Sequence, residues 1–178
     1  MGFYAMLSKT GCKYLLILVT LLALSSCKIV YSFNGGSIDY SKYKSISISD
    51  FPNNAELVNP SLSQTFTEAL KDKYSRQTKL EVVKQGGDMH LEGEIVGYQL
   101  EAMAISADTY AAETKLTLTI NVRFTDTKNP DNDMNDTRYS AFQMFDSNKL
   151  LRDVEPELVD LMVKEIVDKI YNDTVAKW

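Results

Sequence analysis

Few side chains of this sequence have the types and spacing that catalysis requires. His90 is the only histidine, and it lies in a predicted strand beside Glu92 and Glu94, where a surface or edge histidine is a simpler interpretation than a metal ligand. A single histidine leaves no Ser-His-Asp or Cys-His nucleophile system in obvious reach. Glu92, Glu94 and Glu101 could be taken as paired carboxylates, but carboxylates on a strand usually form its solvated face. An enzyme is therefore not expected.

The acidic stretch at residues 131–136 (DNDMND) begins with the spacing of a calcium loop. Its first, third and fifth positions carry side-chain oxygens, as the loop of an EF-hand requires. The pattern then fails, because the sixth position is Asp136 rather than glycine and the twelfth is Phe142 rather than glutamate. The stretch is predicted to be a solvated turn, and neither a metal nor a dissociable cofactor is expected.

Cys27 is the residue with the most specific chemistry. It follows an eleven-residue apolar run at residues 14–24, and the only charges before that run are Lys9 and Lys13. This is the charge order of a secretory signal peptide. A transmembrane helix needs about 20 apolar residues, so an uncleaved membrane anchor is the weaker alternative.

Residues 24–27 (LSSC) resemble the lipobox of bacterial lipoproteins. In that motif the cysteine thiol carries a diacylglycerol, the signal peptide is cut before the cysteine, and the new amino group is acylated, for example with palmitate. The resemblance implies covalent lipid on Cys27. One acyl chain gives only reversible membrane binding, whereas several chains anchor a protein stably. Because Cys12 would leave with the signal peptide and Cys27 would carry lipid, no disulfide is expected.

Length and charge limit the domain organisation and the possible partners of the rest of the chain. Residues 1–26 form the predicted lipoprotein signal peptide, residues 27–44 a lipidated tether and residues 45–178 a single domain of ordinary size. Cleavage removes two lysines and no acidic residue, which changes the formal charge from −5 to −7. Such an acidic body argues against nucleic acid as a partner. It argues equally against docking onto an anionic membrane through the domain's own side chains.

Hydrophobic periodicity predicts the element order β-α-β-β-β-β-α. Alternating or short apolar runs indicate strands, and apolar residues at three- and four-residue spacing indicate amphipathic helices. The strands are predicted at residues 45–51, 80–83, 89–100, 114–125 and 137–145, and the helices at residues 59–78 and 154–175. The expected fold is α+β, with a mainly antiparallel four- to five-stranded sheet and both helices packed on one face.

Local features sharpen this prediction. Strand 114–125 alternates apolar and polar residues without a lapse, so one of its faces should be core and the other solvated. Gly93 and Gly97 are predicted to share a face of the preceding strand, which indicates that another group packs very close there. Asn59 should cap the first helix, with Pro60 at its first position. The apolar stripe of the second helix is predicted to be Leu158, Leu161, Met162, Ile166 and Ile170, with Pro156 in the first turn.

Three stretches of the chain carry a resemblance to a known family. They are residues 51–83 (FPNNAELVNPSLSQTFTEALKDKYSRQTKLEVV), 87–100 (GDMHLEGEIVGYQL) and 115–133 (KLTLTINVRFTDTKNPDND). Together with the lipobox and the terminal helix, they resemble the lipopolysaccharide-assembly lipoprotein family, LptE. The fold that the family implies, two helices on one face of a mainly antiparallel sheet, agrees with the fold predicted from periodicity.

The resemblance also implies a function and a partner. Members of the family are outer-membrane lipoproteins that sit as a plug inside a large β-barrel translocon, help it assemble and help lipopolysaccharide reach the outer leaflet. This chain is therefore expected to be lipid-anchored at the periplasmic face of the outer membrane, with an LptD-like barrel as partner and lipopolysaccharide as a candidate ligand. No basic position of this acidic domain is matched to the family's contacts with glycolipid phosphates.

Other classes of function stay open from the residues alone. A periplasmic adapter or pilotin-like lipoprotein for another outer-membrane complex needs only the lipobox and a small α/β body. A lipid or solute carrier needs an apolar cavity, whereas the close alternation of strand 114–125 favours a filled core.

The solvated face of strand 114–125 is the predicted partner-facing surface. The lumen of a large transmembrane barrel is polar and hydrated, so a plug needs a polar surface. At about 3.4 Å per residue, this face extends roughly 27 Å. Any half-buried antiparallel strand has such a pattern, so the family resemblance is what favours a contact role. The predicted contact residues are Lys115, Thr117, Thr119, Asn121 and Arg123.

Overall fold

A five-stranded sheet carries the two α-helices of the described residues on one of its faces. The computed structural model describes residues 38–57, 59–103 and 112–176. The predicted signal peptide, Cys27 and the tether up to residue 37 lie outside these ranges. The predicted α+β class and the order β-α-β-β-β-β-α are confirmed. The strands are β1 (Ser45–Ile48), β2 (Glu81–Val83), β3 (Met89–Ala102), β4 (Glu113–Asp126) and β5 (Met134–Asp146), and the helices are α1 (Leu62–Gln77) and α2 (Leu151–Tyr171).

The strands lie in the order β2-β1-β3-β4-β5, and the sheet is mixed. β1 pairs in parallel with both β2 and β3, whereas the longer strands β3, β4 and β5 pair antiparallel. The parallel pair of β1 and β2 follows from α1, because a helix between two strands lets the chain return to run in the same direction. The predicted antiparallel pairing is therefore confirmed for β3, β4 and β5, whereas β1 pairs in parallel with its two neighbours.

The link from β2 to β3 passes β1, since β1 lies between those two strands. A Cβ atom on Gly87 would lie 2.5 Å from the Ser47 amide nitrogen and 2.9 Å from the Ile46 carbonyl carbon. The link therefore runs directly against the backbone of β1, where only glycine fits. Gly86, just before it, has a φ angle of +73°, a conformation that glycine adopts without steric cost.

Helix α1 begins after an asparagine turn. Asn59 Oδ1 accepts hydrogen bonds from the Ser61 amide nitrogen at 3.1 Å and from Ser61 Oγ at 2.9 Å, as asparagine does in turns. The helix itself starts at Leu62. Pro60 therefore precedes the helix instead of occupying its first position, and the cap residue is Ser61 rather than the predicted Asn59.

Helix α2 differs from the prediction at two residues. It begins at Leu151, so Pro156 is its sixth residue rather than part of the first turn. Proline has no N–H, so the second turn lacks one helical hydrogen bond. Leu161 is 47% exposed, so its predicted place in the buried stripe is wrong. The stripe consists of pairs of adjacent residues that recur every four residues, and Leu161 lies outside these pairs. The buried residues are Leu158, Val159, Met162, Val163, Ile166, Val167 and Ile170, and a π-helical turn, Asn172–Ala176, follows.

A β-bulge reverses the faces of β3. Before it, Gly93 lies on the helix side, where a Cβ atom would be 2.5 Å from Phe51 Cε1, so the predicted close contact is confirmed there. The register shift next to Gly97 then turns Tyr98 into the core, where it is 1% exposed. Gly97 consequently faces Thr119 on the opposite side. The prediction that the two glycines share a face is therefore wrong.

The core lies between the sheet and the helices. β4 supplies it with five hydrophobic residues that are at most 1% exposed, and the residues that alternate with them, from Lys115 to Arg123, point away from the helices, so the one-sided strand is confirmed. Within the described ranges, neither helix is long and apolar enough to cross a membrane. The five core residues of β4 are Leu116, Leu118, Ile120, Val122 and Phe124.

Replacement of Ile120, at the centre of β4, tests the one-sided sheet. Ile120 is fully buried, so Ile120→Ala should lower the free energy of unfolding by about 2–5 kcal/mol. Thr119→Ala is the matched control, because Thr119 lies on the opposite face and would lose a 3.1 Å hydrogen bond to Ser140 Oγ worth about 1 kcal/mol. Urea unfolding measures both variants, and equal losses would contradict a sheet with one buried face.

Candidate functional site

The sheet face opposite the helices, here named the open face, carries all five predicted contact residues. The antiparallel register places Lys115 between Glu101 of β3 and Met144 of β5, and Arg123 opposite Glu92. The other three lie between these two cations along β4. The predicted set therefore forms one continuous row: Lys115, Thr117, Thr119, Asn121 and Arg123.

The open face has two distinguishable ends. At the tether end, residues 38–44 reach the start of β3 and the end of β4, since the Lys44 amide donates to Asp88 Oδ2 at 2.7 Å and the Tyr43 hydroxyl to Asp126 Oδ2 at 2.9 Å. At the hairpin end, β3 finishes and β4 begins. The row of predicted contact residues thus runs from near the tether end to the hairpin end.

A charged network occupies the part of the open face nearer the tether end. Arg123 forms ion pairs with Glu92 at 3.6 Å and with Asp136 at 3.3 Å. Asn121 donates its side-chain N–H to the same Asp136 at 3.2 Å. The guanidinium of Arg123 is therefore neutralised by this chain's own carboxylates and is not a free cation.

Lys115 is paired in the same way at the hairpin end. Its ammonium lies 2.7 Å from Glu101 Oε2 and 5.6 Å from the ring centroid of Phe142. Phe142 is 54% exposed and Met144 is 42% exposed, so this end of the face is more apolar than the sequence pattern of β4 alone indicates. Both residues belong to β5, where Phe142 follows the buried Ala141 and Met144 precedes the partly buried Phe145.

His90 lies on the open face of β3, which is the central strand rather than an edge. Its Nδ1 is 2.8 Å from Ser47 Oγ and its Nε2 is 3.3 Å from Glu92 Oε2. The ring therefore links β1 to the charged network. Within the described ranges, no group of three histidine, cysteine or carboxylate side chains is placed to hold a metal ion.

The acidic turn after β4 is organised by a buried carboxylate. Asp126 is fully buried, and its oxygens accept hydrogen bonds from the Tyr43 hydroxyl at 2.9 Å, the Asn132 side chain at 3.0 Å and the amides of Lys128 at 2.9 Å and Asn129 at 3.0 Å. Burial, and then the bond to Asp126, raises the pKa of Tyr43 to about 12. Asp126 is not among the residues predicted from the sequence, although its position in the alternation of β4 points it to the core side.

The grooves of the helix side have charged walls. One with a volume of about 350 Å³ lies between α1 and α2. The groove is open to solvent and its lining combines apolar with charged side chains, which does not match the enclosed apolar cavity that a lipid carrier needs. Its charged lining residues are Asp72, Lys73, Arg76, Asp160, Lys164 and Asp168.

Comparison with known proteins gives one family. The family model described as LptE, lipopolysaccharide-assembly, matches residues 43–174. No curated protein sequence matches the chain.

Several solved structures are similar in shape. An uncharacterised lipoprotein B from Nitrosomonas europaea is 17% identical, with a TM-score of 0.49, and the match covers 72% of this chain and 79% of that one. A minor lipoprotein from Acinetobacter baumannii is 13% identical, with a TM-score of 0.45 and coverage of 72% and 89%. The rare lipoprotein B from Shewanella oneidensis is 11% identical, with a TM-score of 0.43 and coverage of 73% and 90%.

Replacement of Asp126 tests whether the acidic turn is held by hydrogen bonds or by an ion. Asp126→Asn should lower the free energy of unfolding by about 1–3 kcal/mol, because buried donors lose an acceptor. Asp131→Asn, an exposed acid of the same turn, is the control and should change stability little. Urea unfolding with and without millimolar Ca²⁺ is the measurement. A clear stabilisation by Ca²⁺ that disappears in either variant would contradict the hydrogen-bonded turn.

Proposed function

Because the chain belongs to the LptE family of lipopolysaccharide assembly, we propose that it is a lipid-anchored protein of the outer membrane that plugs and scaffolds a β-barrel translocon. The barrel is LptD-like and delivers lipopolysaccharide to the cell surface. In this role the chain performs no catalysis. Its contribution is a shaped surface that fills and supports the lumen.

The polar open face is the observation that carries this proposal. Both helices pack on the other side of the sheet, so nothing in the described part of the chain covers the row from Lys115 to Arg123. The lumen of a large barrel is polar and hydrated, and a polar, hydrogen-bonding surface suits it. The open face is a fixed surface, because its residues belong to three long, paired strands.

Charge pairing defines what kind of contact this face offers. Lys115 and Arg123 are each bound to carboxylates of the same sheet, so the face presents pairs of opposite charges rather than a cationic patch. Exposed ion pairs contribute only about 0–1 kcal/mol to stability and can exchange partners at low cost. The face can therefore hydrogen-bond to a lumen wall that carries both acidic and polar groups.

The lipid anchor is proposed on Cys27, and its replacement tests it. Cys27 precedes every described element of the fold, so Cys27→Ala should leave a domain that folds with an unchanged melting temperature. The protein should then be released from the outer membrane or remain unprocessed. Membrane fractionation after a high-salt wash and the mass of the mature chain are the measurements. If the Cys27→Ala protein were still cleaved and bound to the membrane, the proposal of a lipid anchor on Cys27 would be wrong.

The double change Lys115→Glu and Arg123→Glu tests the open face as the contact surface. It places glutamates beside Glu101, Glu92 and Asp136, so we expect recovery of the barrel with the tagged lipoprotein to fall several-fold. Thermal stability should fall only modestly, because the lost pairs are at least partly open to solvent and therefore screened. Co-purification in mild detergent and thermal melting are the measurements.

The matched control is Lys71→Glu with Arg76→Glu on α1. It reverses the same number of charges on the helix side and removes two exposed ion pairs, Lys71 with Asp50 at 3.1 Å and Arg76 with Asp72 at 3.0 Å. Barrel recovery should survive this change. If both double variants retained the barrel, the open face would be excluded as the contact surface, and a different co-purified complex would point to an adapter role.

A further inference from the structure

We propose that two copies of this chain pair along the outer edge of β5 and so join their sheets into one. This inference goes beyond the translocon role and does not rest on it. In the described part of the chain, β5 is an edge strand with β4 as its only neighbour in the sheet. The outer backbone edge of residues 138–146 is here named the free edge.

Every second residue of β5 turns its backbone N–H and C=O groups toward the free edge. The Ser140 carbonyl oxygen accepts a hydrogen bond from Lys169 Nζ of α2 at 3.1 Å, so it points away from β4. Residues of an antiparallel pair alternate in this direction, and the other even-numbered residues of the segment therefore point outward as well. Within the described ranges, the outward backbone groups of Arg138, Phe142 and Met144 have no hydrogen-bond partner. Such a row of donors and acceptors can bind an added strand.

The free edge has little of the protection that edge strands usually carry. Proteins block such strands with lysine, proline, bulges or very short length. The opposite edge strand, β2, has only three residues, whereas β5 pairs regularly with β4 from residue 137 to residue 146. Residues 139–145 (YSAFQMF) include no charged residue, no proline and no glycine.

Lys169 blocks one group of the free edge, the Ser140 carbonyl oxygen. Its side chain is 45% exposed, and its Nζ is also 2.7 Å from Glu165 Oε1. The lysine can therefore leave the carbonyl to an incoming N–H group and keep its ion pair on α2.

The charges of β5 indicate a second copy as the strand that binds. In an antiparallel pair with Phe142 opposite the same residue of the second copy, Arg138 lies opposite Asp146 at both ends. Of the arginines in the described ranges, Arg138 is the one that forms no ion pair. Hydrogen bonds from the Asn148 amide at 2.9 Å and side chain at 2.8 Å lower the pKa of Asp146, so its carboxylate is charged at neutral pH. The strand thus carries the complement of its own charge pattern.

The same register pairs the other side chains favourably on both faces of the sheet. On the open face, Phe142 meets its own copy and Ser140 meets Met144. On the helix side, the half-buried Phe145 meets Tyr139 of the second copy. Aromatic pairs and opposite charges at facing positions stabilise strand pairs.

A shift of the register loses this match. With Ala141 opposite itself, Asp136 would face Asp146, and like charges at facing positions are unfavourable. With Ser140 opposite itself, Arg138 would face Phe142, and neither charge of the pair would meet an opposite charge. Charge complementarity therefore selects the register that is centred on Phe142.

Pairing along the free edge leaves the open face accessible. A two-fold axis perpendicular to the sheet keeps the helices of both copies on one side and both open faces on the other. The added strand lies beside β5, so the row from Lys115 to Arg123 on β4 stays uncovered. The new ladder is about 30 Å long, which makes an interface below the standard size of stable complexes. The dimer should therefore be reversible and depend on the protein concentration.

Disulfide cross-linking of the full chain in mild detergent tests the pairing and its register. In Phe142→Cys the two new thiols face each other across the two-fold axis, with Cα atoms about 5.5 Å apart, a distance that a disulfide spans. Ser140→Cys is the matched control, because its thiols lie on the same edge and face but about 14 Å apart along the ladder. After mild oxidation, we expect several-fold more cross-linked dimer from Phe142→Cys on a non-reducing gel. The unchanged chain, which keeps Cys27, shows any cross-link through that residue.

A charge swap tests the pair of Arg138 with Asp146. Sedimentation velocity over a range of concentrations gives the association constant of the chain without new cysteines. Arg138→Glu should lower this constant several-fold, because glutamate then faces Asp146 at both ends of the ladder. Adding Asp146→Arg to the same chain should restore it. Lys164→Glu, a reversal in the groove between the helices, is the control and should leave the constant unchanged, and thermal melting checks that each variant is folded.

The outcomes separate this pairing from the translocon role. Equal cross-linking of the two cysteine variants, a monomer at every concentration, or equal weakening by Arg138→Glu and Lys164→Glu would overturn pairing along β5. The samples contain no barrel, so a failure to recover the barrel from cells leaves these results unaffected.

Discussion

The insertion of Phe51 between α1 and β3 is the contact on which the arrangement of the domain depends. The ring is fully buried, meets Phe66 edge to face at 5.1 Å, and lies where any side chain at Gly93 would stand. The backbone is held as well, because the Phe51 amide donates to Thr67 Oγ1 at 3.1 Å and its carbonyl accepts from Ser63 Oγ at 2.6 Å. The segment after β1 therefore fixes α1 to one face of the sheet.

Because α1 is fixed to that face, the opposite face of the sheet is left without a helix. α2 packs beside α1, with Lys73 of α1 in a 2.6 Å ion pair with Asp168 of α2, so both helices are on the same side. The other side carries polar residues of β3, β4 and β5, whose charges pair with one another, and the exposed Phe142 and Met144 at the hairpin end. A partner of this face meets a rigid surface with balanced charge, and shape and hydrogen bonds should matter more than net charge.

Two carboxylates of this acidic chain join distant segments inside the fold. Asp126 holds the turn after β4 to Tyr43. Glu155 of α2 accepts hydrogen bonds from the Tyr98 hydroxyl at 2.6 Å and the Asn59 side chain at 2.9 Å, which joins β3, the turn before α1 and α2. Burial, together with Glu155, raises the pKa of Tyr98, so its phenol stays protonated and donates this bond. The bulge in β3 makes the second contact available, because it turns Tyr98 toward the helices.

The sequence by itself determined the features that depend on neighbouring residues. Alternation showed which face of β4 is core, the order of elements followed from periodicity, and the resemblance gave the family that the comparison shows. The predicted lipid on Cys27 and the contact role of the open face rest on the motif and the family and stay predictions. Only the tertiary structure decided the parallel pairing of β1, the reversal at Gly97, the exposure of Leu161 and the ion pairs of Lys115 and Arg123. These features depend on residues that are distant in the chain and meet only in the fold, so no local pattern records them.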